Sequence, residues 1–361
     1  MTMDRAKTKR DFPTRNQKKQ YLKSLFHFFV FGLIFNSFLW ANTIWVERNQ
    51  TFIQVPINWT PTKPQEKVFY FDQWKLIIYC KSFSRGEIFY LEILPKDDTP
   101  YIVLKDYTHQ VYYKTIERNI PLNPKSFGYN GIYVFPPELK ESKNKFIWSI
   151  QNPNKEKIRK EIELNLDLRE FPFSDTPLIF EKKILPPEKQ KELDERIKKE
   201  REIKKIAFSE SLPNLFSNRL SHPRDFHYIT SEWYKTRIHQ YYQIINKKKV
   251  FSQPYKSIHR GVDLKGNTGD VVYALADGKI VLSSEMYYEG NFILINHGNK
   301  IFSGYMHLNE RYYPENTYIK AGIPIGTVGA TGLAIGSHLH FSVWIDGFVA
   351  DPLSIYSLPI R

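Results

Sequence analysis

The residues of this chain best suited to chemistry lie in three short segments near its C-terminal end. The segments "IHRGVD", "GYMHL" and "GSHLHF" supply four histidines and one aspartate, namely His259, Asp263, His307, His338 and His340. A catalytic zinc is typically held by three such side chains, with water at the open fourth position. The metal lowers the pKa of that water to about 7, which provides a nucleophile at neutral pH. The five residues therefore have the composition that a zinc hydrolase needs.

The order and surroundings of these segments resemble those of the lysostaphin/LytM-type zinc metallopeptidases. The pattern is His-x-x-x-Asp, then a lone histidine in Tyr-x-His-Leu, then His-x-His-Phe. The agreement continues through "NTGDVVYALADGKIV" (267–281), "NHG" (296–298) and "AGIPIGTVGATGLAIGSHLHFSVWIDGFVADPL" (321–353). The resemblance covers about residues 255–355. It implies a β-rich peptidase domain with the duplicated hybrid motif fold, acting on the peptides of bacterial cell walls.

Transferred position by position, the resemblance implies a division of labour among the five residues. It implies Zn²⁺ ligation by His259, Asp263 and His340, and catalytic roles for His307 and His338 outside the metal shell. Alternation of side chains along a strand supports part of this division. Because "HLHFSVW" has strand composition, His338 and His340 should face the same side, so that one binds metal while the other lies beside the water. The sequence does not decide which of His307 and His338 acts as acid and which as base.

Two residues near these motifs have weaker claims to a role. Tyr305, two positions before His307, could place a hydroxyl near the oxyanion of the reaction. His297 precedes Gly298 at a predicted junction between strand and turn, where structural hydrogen bonding is the expected role.

The N-terminus has the pattern of an export signal. Residues 1–24 carry eight basic residues and only two acidic ones, Asp4 and Asp11. The charge-free apolar segment 25–41 follows. A basic stretch before an apolar one is typical of a signal peptide, but 17 residues is also close to the length of a membrane span. The segment is therefore either a cleaved signal ending near Ala41 or a retained membrane anchor. Both place the rest of the chain in the periplasm or cell envelope, because the positive flank stays inside.

The composition suits a folded, exported protein. The 361 residues are 42% hydrophobic and 16% aromatic, which excludes a disordered chain. The single cysteine, Cys80, allows no intramolecular disulfide. The formal charge of +14 suits an anionic envelope polymer, and peptidoglycan is the partner that the resemblance implies. No nucleic-acid motif accompanies the charge, so nucleic acid is not expected as a partner, and the sequence indicates no oligomeric state.

The chain before the motifs divides into a strand-rich part and a helical part. Up to about residue 175, short apolar segments recur with Pro, Gly and Asn between them, which predicts a β-sandwich of immunoglobulin-like architecture. Residues 186–206 carry i,i+4 pairs of Glu with Lys or Arg and only a thin apolar stripe, which favours a solvated connecting helix over a partner-binding coil. The predicted order is all-β apart from this helix: signal or anchor at 1–41, β-sandwich at 42–175, helical connector and lead-in at 176–249, peptidase domain at 250–361.

The lead-in to the first motif departs from the family at one turn. Many relatives have Phe-Gly-x-Arg there, whereas "SEWYKTR" (231–237) has Trp233 and Tyr234 and lacks the glycine. The sequence therefore does not predict the shape of one wall of the substrate groove. The segment 176–250 is also long enough to fold back over the site and keep it latent.

The sequence predicts an exported zinc metalloendopeptidase that hydrolyses peptide cross-links or stem peptides of peptidoglycan in cell-wall remodelling. It leaves open whether the bond is a glycyl-glycine bridge or a D-Ala–diamino-acid linkage. The alternative is a catalytically silent regulator of the same fold, which activates cell-wall amidases or binds the wall as a morphogenesis factor. Regulators of that kind typically lack one or more of the ligands, and because this chain retains all five positions the enzyme is favoured.

Overall fold

Strands predominate in the structure, a computed structural model, and the predicted all-β fold class is confirmed. Only one α-helix occurs among the residues described. None of their helices is long and apolar enough to cross a membrane. The predicted signal or anchor at 25–41 lies outside these residues. The structure describes residues 42–48, 51–57, 63–96, 106–126, 128–181, 185–216, 219–226 and 228–359.

The strand-rich N-terminal part forms three sheets. β1 and β2 form a two-stranded sheet, the order β3-β4-β5-β9-β8 makes a five-stranded antiparallel sheet, and β11-β10-β6-β7 makes a four-stranded one. The strands are β1 Asn42–Arg48, β2 Thr51–Ile57, β3 Gln65–Phe71, β4 Trp74–Cys80, β5 Ile88–Pro95, β6 Thr108–Tyr113, β7 Arg118–Ile120, β8 Asn123–Lys125, β9 Gly128–Val134, β10 Lys143–Gln151 and β11 Lys157–Asn165.

Aromatic side chains fill the space between the two larger sheets. The ring of Phe89 on β5 lies 6.0 Å from that of Phe146 on β10, and Tyr113 on β6 stacks on Phe146 at 4.1 Å. All three side chains are fully buried. Burial of a phenylalanine contributes about 1.5–3 kcal/mol, so this core holds the sheets face to face. The packing is that of a sandwich, while its immunoglobulin-like relationship stays a prediction.

A buried histidine in this sandwich should make its stability depend on pH. His109 on β6 accepts a hydrogen bond from the Trp148 indole at 3.2 Å, and burial lowers its pKa to about 4. The folded protein keeps His109 neutral while the unfolded chain takes up a proton below about pH 6.5, so stability is lost as the pH falls. We expect this residue to remove about 2 kcal/mol from the free energy of unfolding between pH 7 and pH 5.

Urea unfolding followed by tryptophan fluorescence at both pH values measures this effect. His109→Phe should lose about 2 kcal/mol less than the wild type over that interval, whatever its stability at pH 7. Equal losses in the two proteins would show that His109 is not the titrating group.

The connector contains one long helix, α1, and a small sheet. α1 begins at Pro187, where proline is tolerated because the first helical N–H has no partner within the helix. The helix is mostly exposed, as predicted, but it buries Glu200 and Ala207. In the small sheet β14 pairs with β12, β15 and β16. The elements are β12 Leu178–Glu181, α1 Pro187–Ser209, β13 Ile229–Ser231, β14 Thr236–Ile245, β15 Lys248–Phe251 and β16 Tyr255–Ile258.

The C-terminal part is built on a ten-stranded sheet. Its main path is β13-β17-β24-β21-β20-β19-β22, with β23 and β25 paired to β21 and β24, and β18 paired to β23. β24 and β21 are the central strands, and their residues Phe341 and Tyr305 are fully buried. The strands are β17 Val262–Lys265, β18 Val271–Tyr273, β19 Gly278–Met286, β20 Gly290–Asn296, β21 Ile301–Arg311, β22 Tyr318–Ile319, β23 Pro324–Val328, β24 His338–Ile345 and β25 Phe348–Ala350.

Polar contacts join the sandwich to the C-terminal part. Arg169 lies 3.4 Å from the buried carboxylate of Glu87 and 3.2 Å from that of Asp351. The Ile88 N–H donates to Ser354 Oγ at 2.9 Å. Breaking a buried ion pair by removing one partner costs about 3–5 kcal/mol, so these contacts fix the two parts against each other. The boundaries at 42–175, 176–249 and 250–361 stay predictions.

Candidate metal centre

Three of the five motif residues converge where β17 and β24 pair. Asp263 and His340 lie directly opposite each other in that register, and His259 follows the end of β16. His259 Nε2 and His340 Nδ1 each lie 2.9 Å from Asp263 Oδ1, and the two nitrogens are 3.0 Å apart. The cross-strand pair and the short β16–β17 connection thus bring one ligand atom from each residue to a common point.

The partners of the two histidines determine which ring nitrogens carry hydrogen. His259 Nδ1 lies 2.8 Å from the backbone oxygen of Glu232, which can only accept, so Nδ1 is protonated. Ser342 Oγ donates to the Arg260 carbonyl at 2.8 Å, and therefore accepts from His340 Nε2 at 3.0 Å. In the neutral tautomers that these partners select, His259 Nε2 and His340 Nδ1 carry the lone pairs. Partners of this kind fix the tautomer and orientation of metal-binding histidines.

The arrangement of donor atoms fits a divalent metal such as zinc. Two nitrogen lone pairs and a carboxylate oxygen repel one another at 2.9–3.0 Å unless a proton or a metal cation lies between them. Zinc bonds of about 2.0–2.1 Å at tetrahedral angles place ligand atoms about 3.3 Å apart, close to these separations. Two imidazoles and one carboxylate are also a donor set that zinc accepts with one position left open. Burial lowers the pKa of His259, which keeps its lone pair available.

Arg237 holds the second oxygen of the aspartate. Its Nη2 lies 2.5 Å from Asp263 Oδ2 and 2.7 Å from Ser231 Oγ. The guanidinium therefore occupies the outer oxygen and leaves Oδ1 facing the histidines. Sequence reasoning missed this residue, because no local pattern links it to Asp263, 26 positions further along the chain. Partners of this kind typically change metal affinity by about 10–100-fold when they are removed.

The turn at Trp233 and Tyr234 supports His259. Tyr234 adopts a φ of 59°, in the left-handed region that glycine populates readily because it has no Cβ atom. Its N–H donates to the His259 carbonyl at 2.8 Å, and the His259 N–H donates to Lys235 at 2.9 Å. The rings of Trp233 and Tyr234 pack on Phe171 at 5.4 and 4.4 Å. Packing on Phe171 thus holds Tyr234 in a backbone conformation that glycine adopts more readily.

His307 occupies a β-bulge in β21. The register between β20 and β21 shifts between the pairs Asn291–Leu308 and Ile293–Tyr305, so β21 has one extra residue there. His307 itself has a φ of 62°. Bulges of this kind redirect a side chain, and here the bulge aims His307 toward His340, with their ring centroids 6.0 Å apart.

Two hydrogen bonds fix the orientation of His307. Its backbone N–H donates to the Glu289 carbonyl at 2.8 Å, and its Nδ1 donates to the Thr331 carbonyl at 2.9 Å. Its Nε2 is therefore bare. Burial, together with His340 and His338 nearby, lowers the pKa of His307 to about 4, so the ring is neutral at neutral pH.

His338 lies beside the three donors on the same strand as His340. Its Nδ1 donates to the Gly336 carbonyl at 2.8 Å, and its Nε2 lies 3.6 Å from Asp263 Oδ1. The ring centroids of His307 and His338 are 5.0 Å apart. The structure therefore places the Nε2 atoms of His307 and His338, each the acceptor of the neutral tautomer, next to the three donors.

Four of the five residues, Asp263, His307, His338 and His340, line an open cavity of about 500 Å³. Leu178 and Phe180 of β12 line one side of it, Leu333 and Ile335 of the β23–β24 loop line another, and His239 of β14 also faces it. The connector therefore supplies part of the wall. Whether residues 176–250 also keep the site latent stays a prediction.

Tyr305 does not have the role that its spacing suggests. Its side chain is fully buried, and its hydroxyl accepts the Leu275 N–H at 2.7 Å. Residues two apart on a regular strand share a face, but the bulge intervenes, so His307 turns to the cavity and Tyr305 to the core. His297 has the structural role expected of it, because its buried ring bonds to the Asp277 carbonyl at 2.7 Å.

Residues 257–352 match the family model of Peptidase family M23. The chain is 30% identical over 136 residues to the peptidoglycan DD-endopeptidase ShyC of Vibrio cholerae. The aligned segment covers 38% of this chain and 29% of ShyC. The chain is 33% identical over 96 residues to the murein hydrolase activator NlpD of Escherichia coli, covering 26% of this chain and 25% of NlpD. The catalytic domain of the antimicrobial peptidase lysostaphin from Staphylococcus simulans aligns at 33% identity over 27% of this chain and 79% of that chain, with a TM-score of 0.27. The chain thus spans less than a third of the length of these two curated relatives.

Proposed function

We propose, from the premise that residues 257–352 form a domain of peptidase family M23, that the protein is an extracytoplasmic zinc metalloendopeptidase of peptidoglycan. The observation that carries the proposal is the convergence of two bare imidazole nitrogens and one carboxylate oxygen within 3.0 Å of one another. Two further bare imidazoles adjoin them in an open cavity. A site used only for binding has no evident need of that second pair.

His259, Asp263 and His340 would hold the zinc in this proposal. When bound, the metal supplies a Lewis acid for the scissile carbonyl and lowers the pKa of its water. Arg237 orients the carboxylate, while Glu232 and Ser342 orient the two imidazoles.

His307 and His338 would act on water and substrate. Each ring donates its Nδ1–H to a backbone carbonyl and presents Nε2 as an acceptor. A bare Nε2 can take the proton of the attacking water and, once protonated, can donate to the tetrahedral oxyanion or the leaving amine. Positioned acid–base groups of this kind contribute about 10²–10⁴-fold to the rate.

The substrate that we propose is a peptide cross-link of the D-Ala–diamino-acid type. The name of the relative ShyC, a peptidoglycan DD-endopeptidase, supports this bond. Lys265 and Lys235 line the cavity, and Lys235 pairs with Glu232 at 3.0 Å. The ammonium group of Lys265 suits a free carboxylate of a stem peptide, whereas a glycyl-glycine bridge has no side-chain carboxylate for it to bind.

Digestion of purified muropeptides tests the bond. Mass spectrometry of the products should identify a new amino terminus on the diamino acid of a former cross-link. Release of reducing sugar without a new amine would contradict a peptidase, and cleavage confined to glycyl-glycine bridges would contradict the proposed bond.

A second candidate function is activation of another wall hydrolase. The similarity to NlpD, a murein hydrolase activator, is the observation that favours it. Complementation of a deletion strain separates the two functions: the enzyme requires His307 and His340, whereas an activator does not. If His307→Ala and His340→Ala both restore normal envelope growth as well as the wild type does, the function lies in binding.

A further inference from the structure

We infer that Glu200 and Lys204 of helix α1 are positioning residues for His307, acting through the turn between β19 and β20. This inference rests on the proposed function, because it assigns those two residues a part in the same reaction. The helix thereby has a role beyond connecting two parts of the chain.

The helix binds the β19–β20 turn at two points. Glu200 Oε2 accepts the backbone N–H of Tyr287 at 2.9 Å, and Lys204 Nζ pairs with the carboxylate of Glu289. Arg196 lies 2.7 Å from the other oxygen of Glu200 and fixes that carboxylate. Glu200 is buried although it belongs to a highly charged helix. A buried carboxylate that accepts a backbone N–H at the tip of a hairpin restrains that hairpin.

The same turn holds the backbone of His307. The carbonyl of Glu289, whose side chain pairs with Lys204, accepts the His307 N–H at 2.8 Å. Glu289 therefore connects the helix to His307. Its side chain pairs with Lys204 of α1, and its backbone carbonyl accepts the N–H of His307 in the bulge.

The turn also supports the second hydrogen bond of His307. Gly290 packs so closely on Thr331 that a Cβ atom at position 290 would overlap it. The Asn291 N–H donates to Thr331 Oγ1 at 2.9 Å, and the Thr331 carbonyl accepts the His307 Nδ1–H. Both bonds that orient the imidazole thus depend on the turn that α1 binds.

His307 depends on these contacts because its backbone has a φ of 62°, in the left-handed region. A non-glycine residue in the left-handed region is held there by its surroundings and not by its own preference. A displacement of about 1 Å at a catalytic group can cost about 100-fold in rate. The proposed ligands take their orientation from Glu232, Arg237 and Ser342, which lie outside α1.

The helix has a separate apolar attachment to the sheet. Phe208 near its C-terminal end packs on Phe302 and Trp344, with ring centroids 5.1 Å away in both cases. Ala207 is buried in the same cluster. Because these contacts are independent of Glu200 and Lys204, removal of one charged group should leave the helix docked.

The test compares Lys204→Met with Lys205→Met in the full-length zinc-loaded protein, on muropeptide substrate. Lys205 is exposed and pairs with Glu202 on the helix itself, which makes it a matched control. We expect Lys204→Met to lower kcat about 10–100-fold with KM and zinc content unchanged, and Lys205→Met to match the wild type. The exchange Lys204→Glu/Glu289→Lys should recover most of the lost kcat.

Nitrogen-15 NMR of the histidine rings gives a readout that does not depend on activity. The His307 signals should shift in Lys204→Met and not in Lys205→Met. Unchanged His307 signals and unchanged kcat in Lys204→Met would overturn the inference, as would a loss of activity that follows only loss of zinc. A shift of those signals in a protein whose wild type releases no amine would support the positioning role and contradict the proposed function.

Discussion

Replacement of any one proposed zinc ligand is expected to empty the metal site. His259→Ala, Asp263→Ala and His340→Ala each leave two of three donors, and a catalytic zinc normally has three protein ligands. We expect zinc to fall from one equivalent per chain to below about 0.1 after dialysis, and turnover to fall at least about 1,000-fold because both the Lewis acid and the activated water depend on the metal. Elemental analysis and amine release measure the two effects.

His239→Ala is the matched control for the ligand variants. His239 also lines the cavity, but it stacks between Phe180 and Tyr255 and lies outside the cluster of three donors. It should retain full zinc. Full zinc occupancy in His259→Ala, Asp263→Ala or His340→Ala would show that the ligand assignment is wrong.

His307→Ala and His338→Ala are expected to separate metal binding from turnover. Both residues lie outside the cluster of three donors, so zinc should stay at one equivalent per chain. Loss of a positioned acid–base group lowers kcat by about 10²–10⁴-fold. Amine release at saturating muropeptide, with elemental analysis of the same samples, measures both quantities.

The two histidine variants also have a clear contrary outcome. Wild-type turnover in either variant would show that the replaced residue takes no part in the reaction. Loss of zinc in either variant would show that the replaced residue is a metal ligand and that the proposed set of ligands is wrong.

The sequence predicted the parts of the site that depend on strand alternation. His338 and His340 share a face because they are two residues apart on β24, as their spacing predicted. Local composition determines this feature, since a strand fixes the direction of every second side chain. The ligand and catalytic roles themselves stay predictions until the variants are measured.

The sequence could not predict features that depend on contacts between distant segments. A bulge in β21, stabilised by Glu289 and Thr331, directs Tyr305 and His307 to different sides, and two-residue spacing alone indicated a shared side. Arg237 of β14 becomes a partner of Asp263 of β17 only because the fold brings together two residues 26 positions apart. Interactions of this kind arise from tertiary structure and leave no local pattern.

Helix α1 gives a second example of a long-range contact that the sequence could not predict. Its i,i+4 pairs predicted a solvated connector, and most of its surface is exposed. The burial of Glu200 against the Tyr287 N–H could not be inferred, because the partner is a backbone group 87 residues away. Charge patterning indicates that a helix forms but not which of its charges are used.

Zinc titration of the metal-free protein tests most directly whether this site is a zinc peptidase. Chelator-treated protein is given increasing zinc, and the release of new amines from purified muropeptides is measured at each step. We predict no release without metal, a rise in proportion to bound zinc, and saturation at one zinc per chain. Amine release at the full rate by the metal-free protein, or no release at one zinc per chain, would contradict the assignment.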